Sequence, residues 1–231
     1  TEKGTMPVNP LTVKTIVTTE LVDKIAAKYG VEVRNVLTGF KFIGEQIGFL
    51  EAKGEEDRYI FGFEESYGYL SGSYVRDKDA VDASMLICEM AAFYRKQGKS
   101  ILQQLNALYA EYGVFCHTQQ SFVCEGESGM ERMSNIMEQL RVAPPKKVGQ
   151  YDVVGTEDYE KSEIVDKNSG TVTPITLPKS NVIAFRLQNE ARVVVRPSGT
   201  EPKIKVYYTT TGKTSEDAAN LTKSIQNDFT K

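Results

Sequence analysis

The chain has 231 residues, of which 40% are hydrophobic, and its 28 Lys and Arg against 31 Asp and Glu leave a net charge of -3. This near balance excludes the strongly basic character of nucleic-acid-binding and anionic-membrane proteins, and no run of about 18 apolar residues predicts a membrane span. Because no signal peptide is recognisable either, we expect a cytoplasmic setting without nucleic-acid or membrane partners. The three cysteines, Cys88, Cys116 and Cys124, match no zinc spacing and are expected to be buried thiols.

The N-terminal half alternates strand and helix patterns. Strands are predicted at 12–17, 31–36 and 59–61, and helices at about 19–29, 42–50, 79–97 and 100–112. Thr19 and Ser100 are the predicted N-caps of the first and last of these helices, which end at Gly30 and Gly113. This alternation predicts a three-layer α/β/α domain with a mainly parallel sheet. The chain reaches its first strand almost directly after Thr1, which favours a piece of a longer protein.

The C-terminal half follows a different pattern. Strands are predicted at 121–124, 181–187, 191–196 and 203–210, with helices at about 130–140 and 215–229. Residues 144–180 form a polar stretch of weak pattern, without a predicted element. These features predict a smaller α+β domain with an antiparallel sheet. We therefore expect one domain at 1–115 and a second at 116–231.

The turn RPSGTEP, residues 196–202, joins the last two predicted strands. Arg196 offers a planar fork of donors, the hydroxyls of Ser198 and Thr200 offer more, and Gly199 lets backbone N–H groups approach an anion. These groups predict a phosphate-binding loop. A tight hairpin in which Arg196 pairs with a nearby carboxylate is an equally good interpretation of the turn alone.

A second unusual loop, GFEESYGYL, begins at Gly62 and follows the third predicted strand. Glu64 and Glu65 can accept protons from paired sugar hydroxyls, Ser66 adds a hydroxyl, and neighbouring tyrosines offer aromatic faces. A ligand is expected where a strand of an α/β sheet ends in a glycine-bearing loop. A solvated acidic turn is the alternative for this loop alone.

Together, the segments TGFKFIG, GFEESYGYL and RPSGTEPKIKVYY resemble, in order and spacing, the C-terminal half of an α-D-phosphohexomutase, most like the phosphoglucomutases. The resemblance covers essentially the whole chain and implies a sugar-binding domain 3 followed by a phosphate-binding domain 4. It implies that Glu64 and Ser66 contact sugar hydroxyls and that Lys41 assists proton transfer or neutralises phosphate charge. The phosphate contacts that it implies are Arg196, Ser198, Gly199 and Thr200. Lys205 matches a basic position of the family, although an ion pair explains it equally well.

The family's reaction moves a phosphoryl group between positions 1 and 6 of a hexose through a phosphoserine, with Mg²⁺ held by closely spaced aspartates. The resemblance thus implies glucose 1-phosphate, glucose 6-phosphate and glucose 1,6-bisphosphate as ligands. The sequence contains neither a Thr-x-Ser-His-Asn-Pro motif nor the aspartate loop, and Asp77, Asp79 and Asp82 are better explained as acids at a helix start. We expect no cofactor in this chain, with Mg²⁺ and catalysis supplied through the N-terminal domains 1 and 2 of a longer enzyme.

Three other interpretations stay open at the level of the sequence. The chain could be a free-standing phosphosugar-binding or interaction module. It could instead belong to a phosphomannomutase or a phosphopentomutase-type relative, because a similar sugar loop occurs there. Finally, both loops could be purely structural.

Overall fold

The structure of the protein is a computed structural model that describes residues 4–126, 128–199 and 201–229. Its contacts divide the chain into two units, Thr1–Gly113 and Val114–Lys231. The division falls close to the boundary expected between residues 115 and 116, but the second unit is not the smaller one in chain length. Among the helices of the described ranges, none has the length and apolar character needed to cross a membrane.

The first unit is a four-stranded sheet with helices on both faces. Its elements in chain order are β1 Leu11–Thr15, α1 Leu21–Tyr29, β2 Glu32–Val36, α2 Phe40–Glu51, a 3₁₀ turn Glu56–Arg58, β3 Tyr59–Glu64, β4 Gly68–Leu70, α3 Ala80–Lys96 and α4 Ile101–Tyr112. The strand order is β2-β1-β3-β4, in which β1 runs parallel to β2 and β3 while β4 is antiparallel to β3. The predicted α/β class with a mainly parallel sheet is confirmed.

Alternation along β1 separates the two faces of this sheet. Val13 lies in an apolar cluster with Ile43 and Ile47 of α2. Its neighbour Lys14 is directed to the opposite face, because successive strand residues alternate, and there its Nζ lies 3.2 Å from Oδ2 of Asp23 in α1. Helices α2 and α1 therefore cover opposite sides of β1.

The starts of α1 and α4 can be compared with the two predicted N-caps, Thr19 and Ser100. Ser100 caps α4 through a capping box with Gln103, as predicted, and Asp79, which was predicted only as an acid at the helix start, caps α3. The residue directly before α1 is Glu20, which makes no side-chain cap bond, so the predicted cap Thr19 lies one position earlier. The Thr19 hydroxyl accepts only a long 3.3 Å bond from the Leu21 amide.

Helices α3 and α4 carry an exposed apolar surface. No residue of either helix is buried, and Val81, Met85 and Leu102 are among the large apolar side chains that they expose. The prediction of three buried thiols is therefore wrong for Cys88 of α3, which is exposed, whereas Cys124 is buried and Cys116 is partly exposed. Apolar periodicity alone could not show that this helix lacks a covering layer.

The second unit is built on an antiparallel sheet. Its elements in chain order are β5 Val114–Val123, α5 Gly129–Val142, β6 Lys147–Val148, β7 Tyr151–Asp158, β8 Glu163–Asp166, β9 Val172–Pro174, β10 Ile183–Leu187, β11 Arg192–Pro197, β12 Lys203–Gly212 and α6 Ser215–Phe229. The strand order is β5-β12-β11-β10-β7-β8-β9, with β6 paired to β7. The predicted α+β class with an antiparallel sheet is confirmed.

The core of this unit lies between one sheet face and helices α5 and α6. Phe185 of β10 and Tyr208 of β12 are fully buried there, together with Met137 of α5 and Ile225 of α6. Aromatic contacts join Phe229 to both Phe185 and Tyr208. The other face of the sheet carries charged residues such as Arg196 and Lys205 together with buried apolar residues, among them Ala184, Val194 and Tyr207.

Four strands lie in the stretch 144–180, where the sequence predicted no element. The longest, β7, contains the buried Asp158 and the nearly buried Glu157, which obscure an apolar pattern. Their partners are remote in sequence: Arg141 lies 3.3 Å from Asp158, and Arg192 lies 2.6 Å from Glu157. The predicted strand at 121–124 was likewise too short, because the polar edge strand β5 pairs with β12 over its whole length.

Candidate functional site

The GFEESYGYL segment is a β-hairpin rather than a long loop. Strand β3 continues to Glu64, which pairs with Gly68 at the start of β4, so only residues 65–67 form the turn. Tyr67 adopts a left-handed backbone with φ of 63° and is 87% exposed. The predicted residues Glu64 and Ser66 thus lie on either side of the first turn residue, with Glu64 buried and Ser66 exposed.

The carboxylate of Glu64 is tightly confined. Its Cγ and Oε1 lie so close to Gly68 that a Cβ at that position would stand 2.8 Å from each. Nζ of Lys78 lies 3.6 Å from Oε1 of Glu64 and 5.7 Å from the ring centroid of Phe40, at the start of α2. Lys78 therefore joins the hairpin to the TGFKFIG segment by an ion pair and a cation–π contact.

Lys78 is a site residue that the sequence interpretation missed. Its segment was considered only for its aspartates, because the contacts of Lys78 with Glu64 and Phe40 are not evident from the local sequence. Lys41, which the resemblance singled out, is exposed on the first turn of α2, and its Nζ lies 4.9 Å from the ring centroid of Phe42. Within the described residues, no hydrogen bond or ion pair connects Lys41 to Glu64 or Ser66.

Of the three aspartates before and in α3, Asp79 caps the helix start, whereas Asp82 bonds to Ser71 and Asp77 accepts from the Lys78 amide. Asp79 accepts hydrogen bonds from the amides of Val81 and Asp82 and from the hydroxyl of Tyr74. The bonds from Asp82, Tyr74 and Val81 lower the pKa of Asp79. Asp82 in turn accepts from the amide and hydroxyl of Ser71.

No metal site emerges from these acids. Among residues 4–126, 128–199 and 201–229, no group of three or more His, Cys, Asp or Glu side chains is arranged to hold a metal ion. Because Asp79 and Asp82 are already engaged by backbone and hydroxyl donors, this segment does not fit the Mg²⁺ that the family resemblance implies.

The RPSGTEP segment connects β11 to β12. The Ser198 amide donates to the carbonyl of Lys203 at 2.7 Å, and the Glu201 amide donates to Oγ of Ser198 at 3.3 Å. A Cβ at Gly199 would meet no atom within 4 Å, so the space beside this residue is open. Thr200, the fourth predicted phosphate contact, lies outside the described residues.

Arg196 and Lys205 occupy directly opposite positions on β11 and β12. Residues opposite each other in an antiparallel pair project to the same face, and like charges in this arrangement destabilise the sheet unless an anion lies near them. No carboxylate of the part of the chain that the structure describes lies within 4.0 Å of either side chain. The geometry therefore provides two half-buried cations at the base of the turn.

Comparison with known proteins agrees with both halves of the fold. Residues 2–112 match the family model "Phosphoglucomutase/phosphomannomutase, alpha/beta/alpha domain III", and residues 139–226 match "Phosphoglucomutase/phosphomannomutase, C-terminal domain". A phosphoglucomutase of Staphylococcus aureus strain MSSA476 is 39% identical over 209 residues, which are 90% of this chain and 37% of that protein. A phosphoglucomutase of Staphylococcus epidermidis is 38% identical over 199 residues, covering 86% of this chain and 36% of the relative.

Solved structures share the fold at low sequence identity. The exocytosis-sensitive phosphoprotein pp63/parafusin from Paramecium has a TM-score of 0.61 at 19% identity, over 95% of this chain and 38% of that one. A phosphoglucomutase/phosphomannomutase family protein from Burkholderia thailandensis has a TM-score of 0.55 at 15% identity, over 96% and 37% of the two chains.

The two domain matches, with the hairpin and the turn that they contain, define a phosphohexomutase architecture, and the chain belongs to the phosphoglucomutase/phosphomannomutase family. Within that family it corresponds to domain III and the C-terminal domain. It spans 37% of the length of the S. aureus phosphoglucomutase that it matches.

Proposed function

We propose that the chain is the sugar- and phosphate-recognising part of a phosphoglucomutase, which interconverts glucose 1-phosphate and glucose 6-phosphate through a phosphoserine. The observation that carries this proposal is the 39% identity with a phosphoglucomutase over 90% of the chain. The EESYG form of the hairpin, which resembles phosphoglucomutases, supports glucose rather than mannose as the sugar. A cytoplasmic location is part of the same proposal.

The hairpin would hold the sugar ring. Glu64 accepts hydrogen bonds from ring hydroxyls and Ser66 supplies an exposed hydroxyl beside it, while Lys78 holds the buried carboxylate of Glu64 in place. Lys41 is a candidate for neutralising phosphate charge or assisting proton transfer. Because the substrate of a mutase binds in two orientations, these groups need to accept hydroxyls from either end of the sugar.

The RPSGTEP turn would hold the phosphate that is not being transferred. Arg196 donates through a planar fork suited to phosphate oxygens, and Lys205 opposite it adds a second positive charge. Ser198, Gly199 and Thr200 complete the loop, with open space beside Gly199 for the anion. The absence of a described carboxylate partner for Arg196 favours this role over an internal ion pair.

The chemical step would depend on residues outside this sequence. The only histidine is His117, whose Nδ1 lies 3.0 Å from the Thr209 hydroxyl within the second unit, and no Thr-x-Ser-His-Asn-Pro motif accompanies it. In the complete enzyme, Mg²⁺ would stabilise the charge that develops on the transferred phosphoryl group. We therefore expect this chain to bind phosphosugars in concert with domains 1 and 2 and to be inactive by itself.

Calorimetric titration of the chain with glucose 1-phosphate tests the proposal. We expect weak saturable binding, tighter than that of mannose 1-phosphate or inorganic phosphate, and no mutase activity in a coupled assay. Equal affinity for all three ligands would indicate that the chain binds only the phosphate group and does not recognise the sugar. A folded chain that binds none of them would contradict the assignment of both loops.

Replacing Gly68 by alanine is expected to weaken glucose 1-phosphate binding about tenfold, roughly the contribution of one hydrogen bond to a charged group. The new Cβ would collide with the side chain of Glu64 and would therefore displace its carboxylate. Binding of inorganic phosphate is expected to be unchanged. Gly48→Ala is the matched control, because a Cβ there meets no atom within 4 Å; an equal loss in both variants would contradict the role of Glu64.

A further inference from the structure

Glu65, the first residue of the hairpin turn, is bonded to the end of the central strand β1. Oγ1 of Thr15 donates to Oε2 of Glu65 at 2.9 Å, and Oγ1 of Thr18 lies 3.5 Å from the same oxygen. The two threonine hydroxyls are 2.8 Å apart. Thr15 is fully buried and Thr18 is 6% exposed, so this contact is shielded from solvent on the β1 side.

The direction of these bonds follows from the number of protons. Each threonine hydroxyl has one proton to donate, and an ionised carboxylate can only accept. The short Thr15 bond to Glu65 uses the Thr15 proton, so Thr15 accepts from Thr18, and the 3.5 Å contact is too long to compete. The result is a chain of hydrogen bonds from Thr18 to Thr15 to Glu65.

The hairpin has few other restraints at this end. Strand β4 has three residues and lies at the edge of the sheet, and its pairing with β3 stops at Glu64 and Gly68. The turn also contains Tyr67 in a left-handed conformation, which is unfavourable for a residue with a side chain. Short edge hairpins are only marginally stable by themselves, so a bond from the turn to buried β1 adds a restraint that the strands lack.

The three consecutive polar residues of the segment have different surroundings. Glu64 is confined beside Gly68 and Lys78, Glu65 is bonded to Thr15, and Ser66 is exposed. The two residues directly before Ser66 are therefore each held by a side-chain contact, Glu64 by Lys78 and Glu65 by Thr15. A shift of Glu65 would move Ser66 directly.

We propose that Glu65 is a positioning residue: its bond to the Thr18–Thr15 hydroxyl pair holds the turn so that Ser66 keeps a fixed place beside Glu64. Glu65 itself does not contact the sugar. The consequence for ligand binding rests on the proposed phosphosugar function, whereas the restraint on the turn does not depend on it.

The test compares Thr15→Val, which removes the donor with little change in shape, with Thr15→Ser, which retains it. Thr12→Val is the matched control, because the buried Thr12 hydroxyl of the same strand donates at 2.8 Å to the carbonyl of Phe61 and does not touch Glu65. The chain contains no tryptophan, so Tyr67→Trp introduces a single tryptophan into the turn, which can be excited selectively over the tyrosines.

In the reporter background, we expect Thr15→Val to lower the fluorescence anisotropy of the tryptophan, and Thr15→Ser and Thr12→Val to leave it unchanged. Without the reporter, Thr15→Val is expected to weaken glucose 1-phosphate binding about tenfold, as for loss of a hydrogen bond to a charged group, while inorganic phosphate binds as before. A merely structural loss of stability would affect Thr12→Val as much as Thr15→Val.

Two outcomes separate this proposal from the function on which its ligand part rests. If the wild-type chain binds no glucose 1-phosphate but Thr15→Val still mobilises the turn, the restraint stands and the sugar-binding function fails. If the anisotropy and the sugar affinity of Thr15→Val equal those of Thr12→Val, the positioning role of Glu65 is overturned.

Discussion

Replacing Arg196 by alanine is expected to reduce the affinity for glucose 1-phosphate about a hundredfold. A charge-assisted pair of hydrogen bonds to phosphate contributes roughly 3 kcal/mol, and each 1.4 kcal/mol is about a tenfold change in affinity. Arg196 and Lys205 are half-buried and directly opposite each other. The contribution of Arg196 to phosphate affinity is expected to be larger than that of Lys205, because a guanidinium can donate two parallel hydrogen bonds. Calorimetry at low ionic strength measures the loss, since salt screens the remaining attraction.

Arg186→Ala is the control for this experiment. Arg186 of β10 is directly opposite Arg192 of β11. Because Arg192 is four residues before Arg196 on the same strand, Arg186, Arg192 and Arg196 all project from the same sheet face. Its guanidinium lies 3.9 Å from Glu157 and 3.7 Å from Asp166 and is thus compensated within the protein. Equal losses in the two variants would mean that the ligand senses only the overall charge of this face. Arg196→Lys is expected to lie between wild type and alanine, because lysine keeps the charge without the planar fork.

Replacing Arg192 by methionine is expected to lower the free energy of unfolding of the second unit by about 3 kcal/mol at neutral pH. Arg192 and Glu157 are 15% and 13% exposed and 2.6 Å apart, and removing one partner of such a pair leaves the other charge buried without its main compensation. Arg186 and the hydroxyl of Tyr159 remain beside Glu157, which keeps the loss at the lower end of the usual range. Hydrogen exchange of β7, β10 and β11 in urea measures the effect in the unit concerned.

The pH dependence of this variant has a definite sign. Burial alone would raise the pKa of Glu157, but the charge and hydrogen bond of Arg192, with smaller contributions from Tyr159 and Arg186, lower it below 4.5. Because the folded-state pKa is depressed, the stabilisation is present above the ordinary glutamate value and is lost as the pH falls through the folded-state value. The advantage of wild type over Arg192→Met should therefore shrink only as the pH falls below the ordinary glutamate pKa toward the lower folded-state pKa of Glu157.

The double variant Arg192→Met/Glu157→Met tests the origin of this loss. Replacing both members of a buried pair by apolar side chains is often neutral, so we expect its stability to be within about 1 kcal/mol of wild type. If the double variant were as unstable as Arg192→Met, the loss would come from packing of the arginine stem rather than from the unpaired carboxylate.

The parts of the fold that were predictable from sequence are those specified by local chemistry. Asp79 and Ser100 identify the starts of α3 and α4 because an N-cap bonds to amides only two or three residues away. Strand β7 could not be predicted in this way, since Glu157 has the character of a surface residue until Arg192, 35 positions further on, is known to reach it. Polar strands are predictable only when their partners are known.

The same distinction applies to the candidate site. The hairpin and the RPSGTEP turn were evident as contiguous motifs, and their residue types indicated sugar and phosphate chemistry. Lys78 and Thr15 were not evident, because they meet the hairpin from 14 residues after Glu64 and 50 residues before Glu65, and no local pattern marks either of them. Contacts of this kind follow from the strand order β2-β1-β3-β4, which places the end of β1 beside the end of β3.

The exposed apolar side chains of α3 and α4 bear on how the chain is handled in solution. Val81 is 80% exposed and Leu102 is 64% exposed, and apolar surface of this kind promotes self-association. Sulfate and phosphate salts strengthen such association, and under the proposed function both anions would also compete with the ligand for Arg196. A chloride buffer of low ionic strength is therefore the medium in which the chain is expected to stay dispersed while the proposed phosphate-binding turn remains available to the ligand.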